Sequence, residues 1–273
     1  MTPASTTALI TGQGGLPAAL VAAMPQRPLI AAFDDFTPEG LIPDLRFRLE
    51  RLSPFLDSLQ DRGVTRVVFA GAISRPRLDP ALVDPATAAL LAPLLAAFAG
   101  GDDGTLRAVL AIFEEAGFVV AGVAEIAPGL IPAAGVLAGE AAVSDTCDAA
   151  RAAAIVAALG AVDVGQGAVV QQGLCLGLET ISGTDAMLRQ VAGLSASLRP
   201  EASRGRGVFY KAPKPGQDRR VDLPVLGLDT LRMVAAAGIG GVVWEAGGVI
   251  CLDPQAMATL AGELGRLLWS RAP

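Results

Sequence analysis

The N-terminal part of the chain alternates short apolar runs with glycine-rich punctuation in an order that leaves few folds open. Ala8-Leu9-Ile10 reads as a strand and enters the turn Gly12-Gln13-Gly14-Gly15-Leu16-Pro17. A helix from about Pro17 to Met24 follows, then a second strand from Pro28 to Phe33, closed by Asp34 and Asp35. Strand, glycine turn, helix, strand and then an acid about twenty residues on is the shape of a nucleotide-binding βαβ unit. Pro17 departs from the G-x-G-x-x-G pattern, so the turn reads either as a phosphate- or nucleotide-contacting loop or as a plain tight turn.

The same alternation continues. Leu49, Leu52, Leu56 and Leu59 give helical spacing within Arg46–Arg62, with Ser53-Pro54 as a helix start and Gly63 as its end. Thr65 to Ala70 is a buried strand running into Gly71-Ala72-Ile73-Ser74-Arg75-Pro76. Open α/β sheets bind ligands at such carboxyl ends, so Arg75 is either a phosphate clamp or a surface arginine. Pro85 to Ala99 predicts an apolar packing helix, and Thr105 to Ala116 a second, preceded by Asp102-Asp103 with Asp103 as an N-cap. Phe118 to Val123 predicts the last strand of this half.

Ala127 to Val143 is rich in Gly, Ala and Pro, and the domain boundary is placed there. The reading is two α/β domains: a Rossmann-like parallel sheet over 1–136, and a mixed α/β domain with hairpins over 144–273. In the second, Ser144-Asp145 caps a helix from Thr146 to Leu159. Gly167–Gln171 and Leu174–Glu179 form a hairpin about Gln172-Gly173. A helix opens near Gly183-Thr184-Asp185 and runs to about Leu198. Thr184 or Asp185 either caps it or, with its amide-rich start, faces phosphate or metal. Gly227 to Ala237 predicts a helix, Gly241–Glu245 and Val249–Leu252 strands, and Pro254 to Trp269 a closing helix.

Between these elements, Arg204 to Thr230 holds the two lysines of the chain, Lys211 and Lys214, and its one tyrosine, Tyr210. Every other cation is arginine, which suggests two positions where a compact ammonium works and a guanidinium does not. Asp218 and Asp222 sit among Arg206, Arg219, Arg220 and these lysines. Cations that hold phosphate oxygens, with carboxylates that hold a hard metal or activate water, suit metal-assisted phosphate chemistry. Pro213, Pro215 and Pro224 stiffen the segment. The bland reading is a solvated basic loop.

Composition narrows the chemistry. There is no histidine. Ser-His-Asp and Cys-His catalysis and His-ligated zinc are thereby excluded, and acid–base work falls to Asp, Glu, Lys, Tyr or water. Net charge −6 and a pI of about 4.8 argue against nucleic acid. Three cysteines with no close pair suit a reduced cytoplasmic protein. No signal peptide and no membrane-spanning run is evident.

Taken together, the quoted turns, Gly101-Asp102-Asp103, Asp163-Val164-Gly165-Gln166-Gly167, Glu179 with Gly183-Thr184-Asp185-Ala186-Met187, Lys211-Ala212-Pro213-Lys214-Pro215 with Gln217, Asp222-Leu223-Pro224 with Gly227, and Glu245-Ala246-Gly247 carry a resemblance. The chain is similar, from about Ala8 to Leu268, to the UDP-2,3-diacylglucosamine pyrophosphatases of lipid A biosynthesis, the LpxI type. The resemblance implies hydrolysis of UDP-2,3-diacylglucosamine to lipid X and UMP, attack at the sugar-side phosphorus, and two domains with the lipid-sugar phosphate between them. It implies a need for Mg²⁺ or a similar divalent ion, which suits an oxygen-only donor set. Asp222 is then the expected catalytic acid. The expected metal ligands are Asp222, Asp185, Asp218 and Glu179. Substrate contacts fall to Gly12, Gln13, Gly14, Gly15, Arg75, Asp102, Asp103, Thr184, Asp185, Lys211, Lys214 and Gln217. Acyl chains would meet an apolar wall such as Ala86–Ala99 or the surfaces between the domains. The expected setting is cytoplasmic, with peripheral contact at the inner membrane and self-association among the options. The alternatives are a nicotinamide-dependent oxidoreductase, from Gly12–Gly15 and Asp34, and a non-catalytic lipid or nucleotide carrier.

Overall fold

The structure is a computed structural model that describes residues 6–73, 78–97 and 102–273. The chain divides into two compact units, Met1–Pro128 and Gly129–Pro273.

The first unit is built on five parallel strands: β1 (Thr6–Thr11), β2 (Leu29–Phe33), β3 (Leu45–Phe47), β4 (Val64–Ala70) and β5 (Val119–Ala121). Helix α1 (Leu16–Ala23) links β1 to β2, and α2 (Leu52–Asp61) leads into β4. Helices α3 (Pro85–Ala97) and α4 (Asp102–Glu115) lead into β5, and the short α5 (Val123–Ile126) follows it. The strand order is β3-β2-β1-β4-β5, the arrangement of a Rossmann half, with its reversal between β1 and β4. The central strands read as near-continuous apolar runs because both faces are covered: Ala8, Leu9, Val67 and Val68 are all fully buried. An aromatic file threads this core. Phe33 lies 4.2 Å from Phe47, Phe47 stacks on Phe55 at 3.9 Å, and Phe113 meets Phe69 edge-on at 5.1 Å.

At the reversal the turns after β1 and β4 are joined. Gln13 N–H donates to Ala72 O at 2.8 Å, and Ala72 N–H returns to Gln13 O at 3.0 Å. Only glycine permits this approach, since a Cβ on Gly12 would lie 2.4 Å from Ala72 O, and one on Gly71 2.7 Å from Gln13 O.

The second unit carries a six-stranded mixed sheet in the order β6-β13-β11-β9-β7-β8. Its strands are β6 (Gly135–Ala138), β7 (Gly167–Gln171), β8 (Leu174–Leu178), β9 (Val208–Lys211), β11 (Gly241–Glu245) and β13 (Leu267–Arg271), while β10 (Val225–Leu226) and β12 (Ile250–Cys251) pair separately. β9, β11 and β13 run parallel at the centre, flanked by antiparallel neighbours on both sides. Alternation along β9 sorts its two faces. Val208 and Tyr210 pack with Ala149, Ala152 and Val156 of α6 (Val143–Ala161). Phe209 packs instead with residues of α7 (Gly183–Ala192), α8 (Leu228–Ala236) and α9 (Pro254–Glu263), among them Leu188, Leu231 and Met257.

Five expectations are refined here. The closing helix stops at Glu263, and Leu267–Arg271 is a strand between β11 and β6. Gly265, at φ +59°, breaks the helix, and Leu267 and Leu268 are buried in the sheet. The stretch from Ala127 to Val143, where the sequence places the domain boundary, contains β6, held by β13. The start of the Arg46–Arg62 stretch is not helical: Leu45–Phe47 is β3, a three-residue edge strand. Helix α7 ends at Ala192 with Gly193 as its cap, short of Leu198. The N-cap of α6 is Ala142, whose N–H donates to Asp145 Oδ2 at 3.0 Å. Among the described residues, no helix is long and apolar enough to cross a membrane.

Candidate active site

The three parallel strands of the second unit end in polar residues: Lys211 on β9, Glu245 on β11 and Arg271 on β13. Carboxyl ends of parallel strands are where α/β sheets take ligands. The candidate residues of this unit gather on the turns at this edge.

Lys211 projects to the Phe209 side of the sheet, where it meets Glu179, the residue after β8. Its Nζ donates to Glu179 Oε1 and Oε2 at 3.2 and 3.1 Å, and to Thr184 Oγ1 at 2.6 Å. Lys211 is 4% and Glu179 7% exposed, so each is the other's counter-charge in a dry setting. The glycine-rich segment before β7 makes room for this pair. A Cβ on Gly165 would lie 2.0 Å from Glu179 O, and one on Gly167 2.4 Å from Glu179 Oε2. The Asp163–Gly167 motif is thus a cradle for Glu179. Next to it, Gln166 Oε1 is buried without a hydrogen-bond partner among the described residues.

Lys214 reaches Asp163 Oδ1 with its Nζ at 2.6 Å. Its main chain lies over the end of α6, where a Cβ on Gly160 would come within 3.2 Å of Lys214 Cα. The loop that follows is internally tied. Buried Gln217 accepts the Lys214 N–H at 2.9 Å on Oε1, and its amide donates to Asp222 Oδ2. One side chain therefore fixes the half-buried Asp222 carboxylate relative to the Lys214 backbone. Asp218 accepts from Arg220 Nε at 3.0 Å and from the terminal guanidinium nitrogen at 2.7 Å. Asp185 lies exposed in the first turn of α7.

The structure thus brings Glu179, Thr184 and Lys211 together, and separately links Lys214, Gln217 and Asp222. It gives Asp218 to Arg220. Gly12, Gln13, Gly14 and Gly15 lie in the first unit, at the joined turns of its strand reversal. Arg75 lies outside the described residues. The backbone of Asp102 and Asp103 is in the first turn of α4, so Asp103 stands inside the helix and not at its cap. Among the described residues, no three His, Cys, Asp or Glu side chains gather as a ready-made metal cluster.

Sequence reasoning gave no role to a second polar group on the same edge. Arg219 donates to Glu245 Oε1 at 2.6 Å. Burial first, and then the charge of Glu245, push the Tyr210 hydroxyl above its ordinary range, while the nearby Arg271 opposes them. The signal that could have placed Glu245 and Arg271 at this edge is positional, since each is the last residue of a parallel strand.

Two family descriptions match the chain: LpxI N-terminal domain over residues 6–130, and LpxI C-terminal domain over residues 133–269. A relative from Caulobacter vibrioides, named UDP-2,3-diacylglucosamine pyrophosphatase LpxI, is 40% identical over 209 residues, which is 76% of this chain and 75% of the relative.

Proposed function

Since the chain belongs to the LpxI family, we propose that it hydrolyses the diphosphate of UDP-2,3-diacylglucosamine to 2,3-diacylglucosamine 1-phosphate and UMP. The observation that carries the reading onto this chain's residues is the Gln217 bridge, which holds a carboxylate and a lysine-bearing backbone in one rigid loop.

The roles follow from the surroundings of each group. Asp222 orients the attacking water and accepts its proton, while the Gln217 amide on Oδ2 sets the direction of Oδ1. The water oxygen bonds to the sugar-side phosphorus. The bond from that phosphorus to the bridging oxygen breaks, and the bridging oxygen leaves with UMP. Lys214, whose side chain is 22% exposed, offsets the diphosphate charge. Lys211, committed to Glu179 and Thr184, holds the turn that leads into α7.

A hard divalent ion such as Mg²⁺ would supply further charge neutralisation on the phosphate oxygens. Magnesium is commonly held by one or two carboxylates, with substrate phosphate and water completing the shell. The residues fit that mode. Asp222 and Asp185 would hold it, while Glu179 and Asp218 accept from Lys211 and Arg220. The diacylated substrate is a membrane lipid, so the chain would meet it as a peripheral protein at the cytoplasmic face of the inner membrane.

The test is turnover of UDP-2,3-diacylglucosamine by Asp222→Asn. A loss of about 10²- to 10⁴-fold, with the fold intact, is expected for removal of a general base. Near-normal turnover removes Asp222 from the mechanism. Hydrolysis in ¹⁸O-labelled water should place the label in the sugar phosphate, and label in UMP would move the attack to the other phosphorus.

A further inference from the structure

We propose that the second unit has another binding site, for a small molecule bearing a phosphate group, at the amino ends of its parallel strands. This is the edge of the sheet opposite Lys211, Glu245 and Arg271.

A cavity of about 590 Å³ opens there. That is the size range of pockets for small organic ligands. Arg204, Arg206 and Arg266 line it, each near the start of β9 or β13. Among the described residues, no ion pair joins any of these three to a carboxylate, in a chain whose acids outnumber its cations by 27 to 21. Glu140 and Asp145 also border the cavity, but Asp145 is occupied by the Ala142 N–H. Burial first, and then the nearby charge of Arg206, hold the Arg266 guanidinium below its ordinary range. Arg266 Nε is buried with no hydrogen-bond partner among the described residues. Like charges drawn together around an orphaned donor are the arrangement that an anion would relieve.

The walls suit phosphate in other ways. Ser144 and Ser203 supply hydroxyls, and Ser144 stands in the first turn of the 19-residue helix α6, whose amino end favours negative charge. The loop that carries Arg204 is held in place before any ligand arrives. Gln171 Nε2 donates to Gly205 O at 3.0 Å, and Gln172 Nε2 donates to Glu201 O at 2.6 Å. Gln172 itself is anchored by Asp148, 1% exposed, whose carboxylate accepts its main-chain N–H at 2.9 Å. A preformed loop lowers the cost of ordering on binding.

The experiment uses the full chain and inorganic phosphate as the probe, with chloride of matched ionic strength as the control. Calorimetric titration is run on the Lys214→Ala background, so that the proposed active edge does not compete. Saturable one-site binding and a phosphate-specific rise in melting temperature are expected. Arg206→Gln with Arg266→Gln should weaken that binding at least tenfold. Both arginines also bond to main-chain carbonyls, Arg206 to Gly265 O at 2.9 Å and Arg266 to Ala235 O at 3.4 Å. If their loss unfolds the chain, the exposed Arg204→Gln decides, with a weakening of several-fold. The proposal is overturned if no saturable binding occurs, if chloride raises the melting temperature equally, or if folded arginine variants bind phosphate unchanged. None of these outcomes depends on Asp222 or on turnover.

Discussion

Lys211 illustrates how little of a residue's role its type reveals. A compact ammonium retained amid arginines marks the position, but the partner that explains it, Glu179, is 32 residues away in the chain. Lys211→Met should lose about 3–5 kcal/mol in urea unfolding, because it leaves a carboxylate buried and unpaired. Adding Glu179→Leu should recover much of that loss, and a single variant as stable as the wild type would show that Glu179 is not dry. The same limit explains the metal set. Asp222, Asp185, Asp218 and Glu179 look alike as acids, and only the folded loop shows that Asp218 faces Arg220 and Glu179 faces Lys211. Cys251 makes a contrasting case. Burial pushes its thiol up to about 12, whereas Cys147 and Cys175 are exposed. A thiol reagent should therefore modify two cysteines of the native chain and reach Cys251 only after denaturation.

At the scale of elements, glycine spacing proved informative in a way its first reading did not anticipate. Gly165 and Gly167 read as part of a motif, and the structure makes them the space into which Glu179 turns. Gly165→Ala should cost about 1–3 kcal/mol as an overpacked site, measured by thermal unfolding, with loss of turnover exceeding the loss of folded protein. The parallel βαβ pattern of the first unit was legible because strand and helix periods alternate with clear stops. The last strand was not. Leu267-Leu268-Trp269 is a short apolar run, which periodicity alone cannot assign to helix or strand, and Gly265 is a stop only when read with the burial that follows. β3 and β6 escaped because short edge strands carry too few residues to show alternation.

For the whole molecule, the absence of histidine shapes how stability depends on pH. Between about pH 5.5 and 8, few groups change charge, so urea midpoints at pH 6 and pH 8 should agree. Below that window, stability should fall. Burial raises the Glu50 carboxyl, but hydrogen bonds, first from the Asp79 N–H, outweigh it and leave Glu50 below its ordinary value. Asp44 is lowered likewise: burial raises it, but Arg27, the Ile30 N–H and Arg62 together outweigh burial. A depressed carboxyl contributes stability above its unfolded pKa and loses it as pH falls through the folded one, so Glu50→Gln should flatten the acid limb. Above about pH 9 the sign reverses. The raised Cys251 thiol favours the folded state while both states stay protonated, and that contribution fades toward pH 12 at about 1.4 kcal/mol per unit. Cys251→Ala should make the alkaline limit shallower, and an unchanged slope would assign it to Tyr210.

Two lysines in the chain, one sealed against Glu179 and the other at the surface beside Asp163, leave a single side-chain amine within easy reach of a reagent. Of the lysine side chains, acylating chemistry should tag Lys214 alone, and the rate of that tagging would then serve as a built-in gauge of whether anything occupies that edge of the sheet.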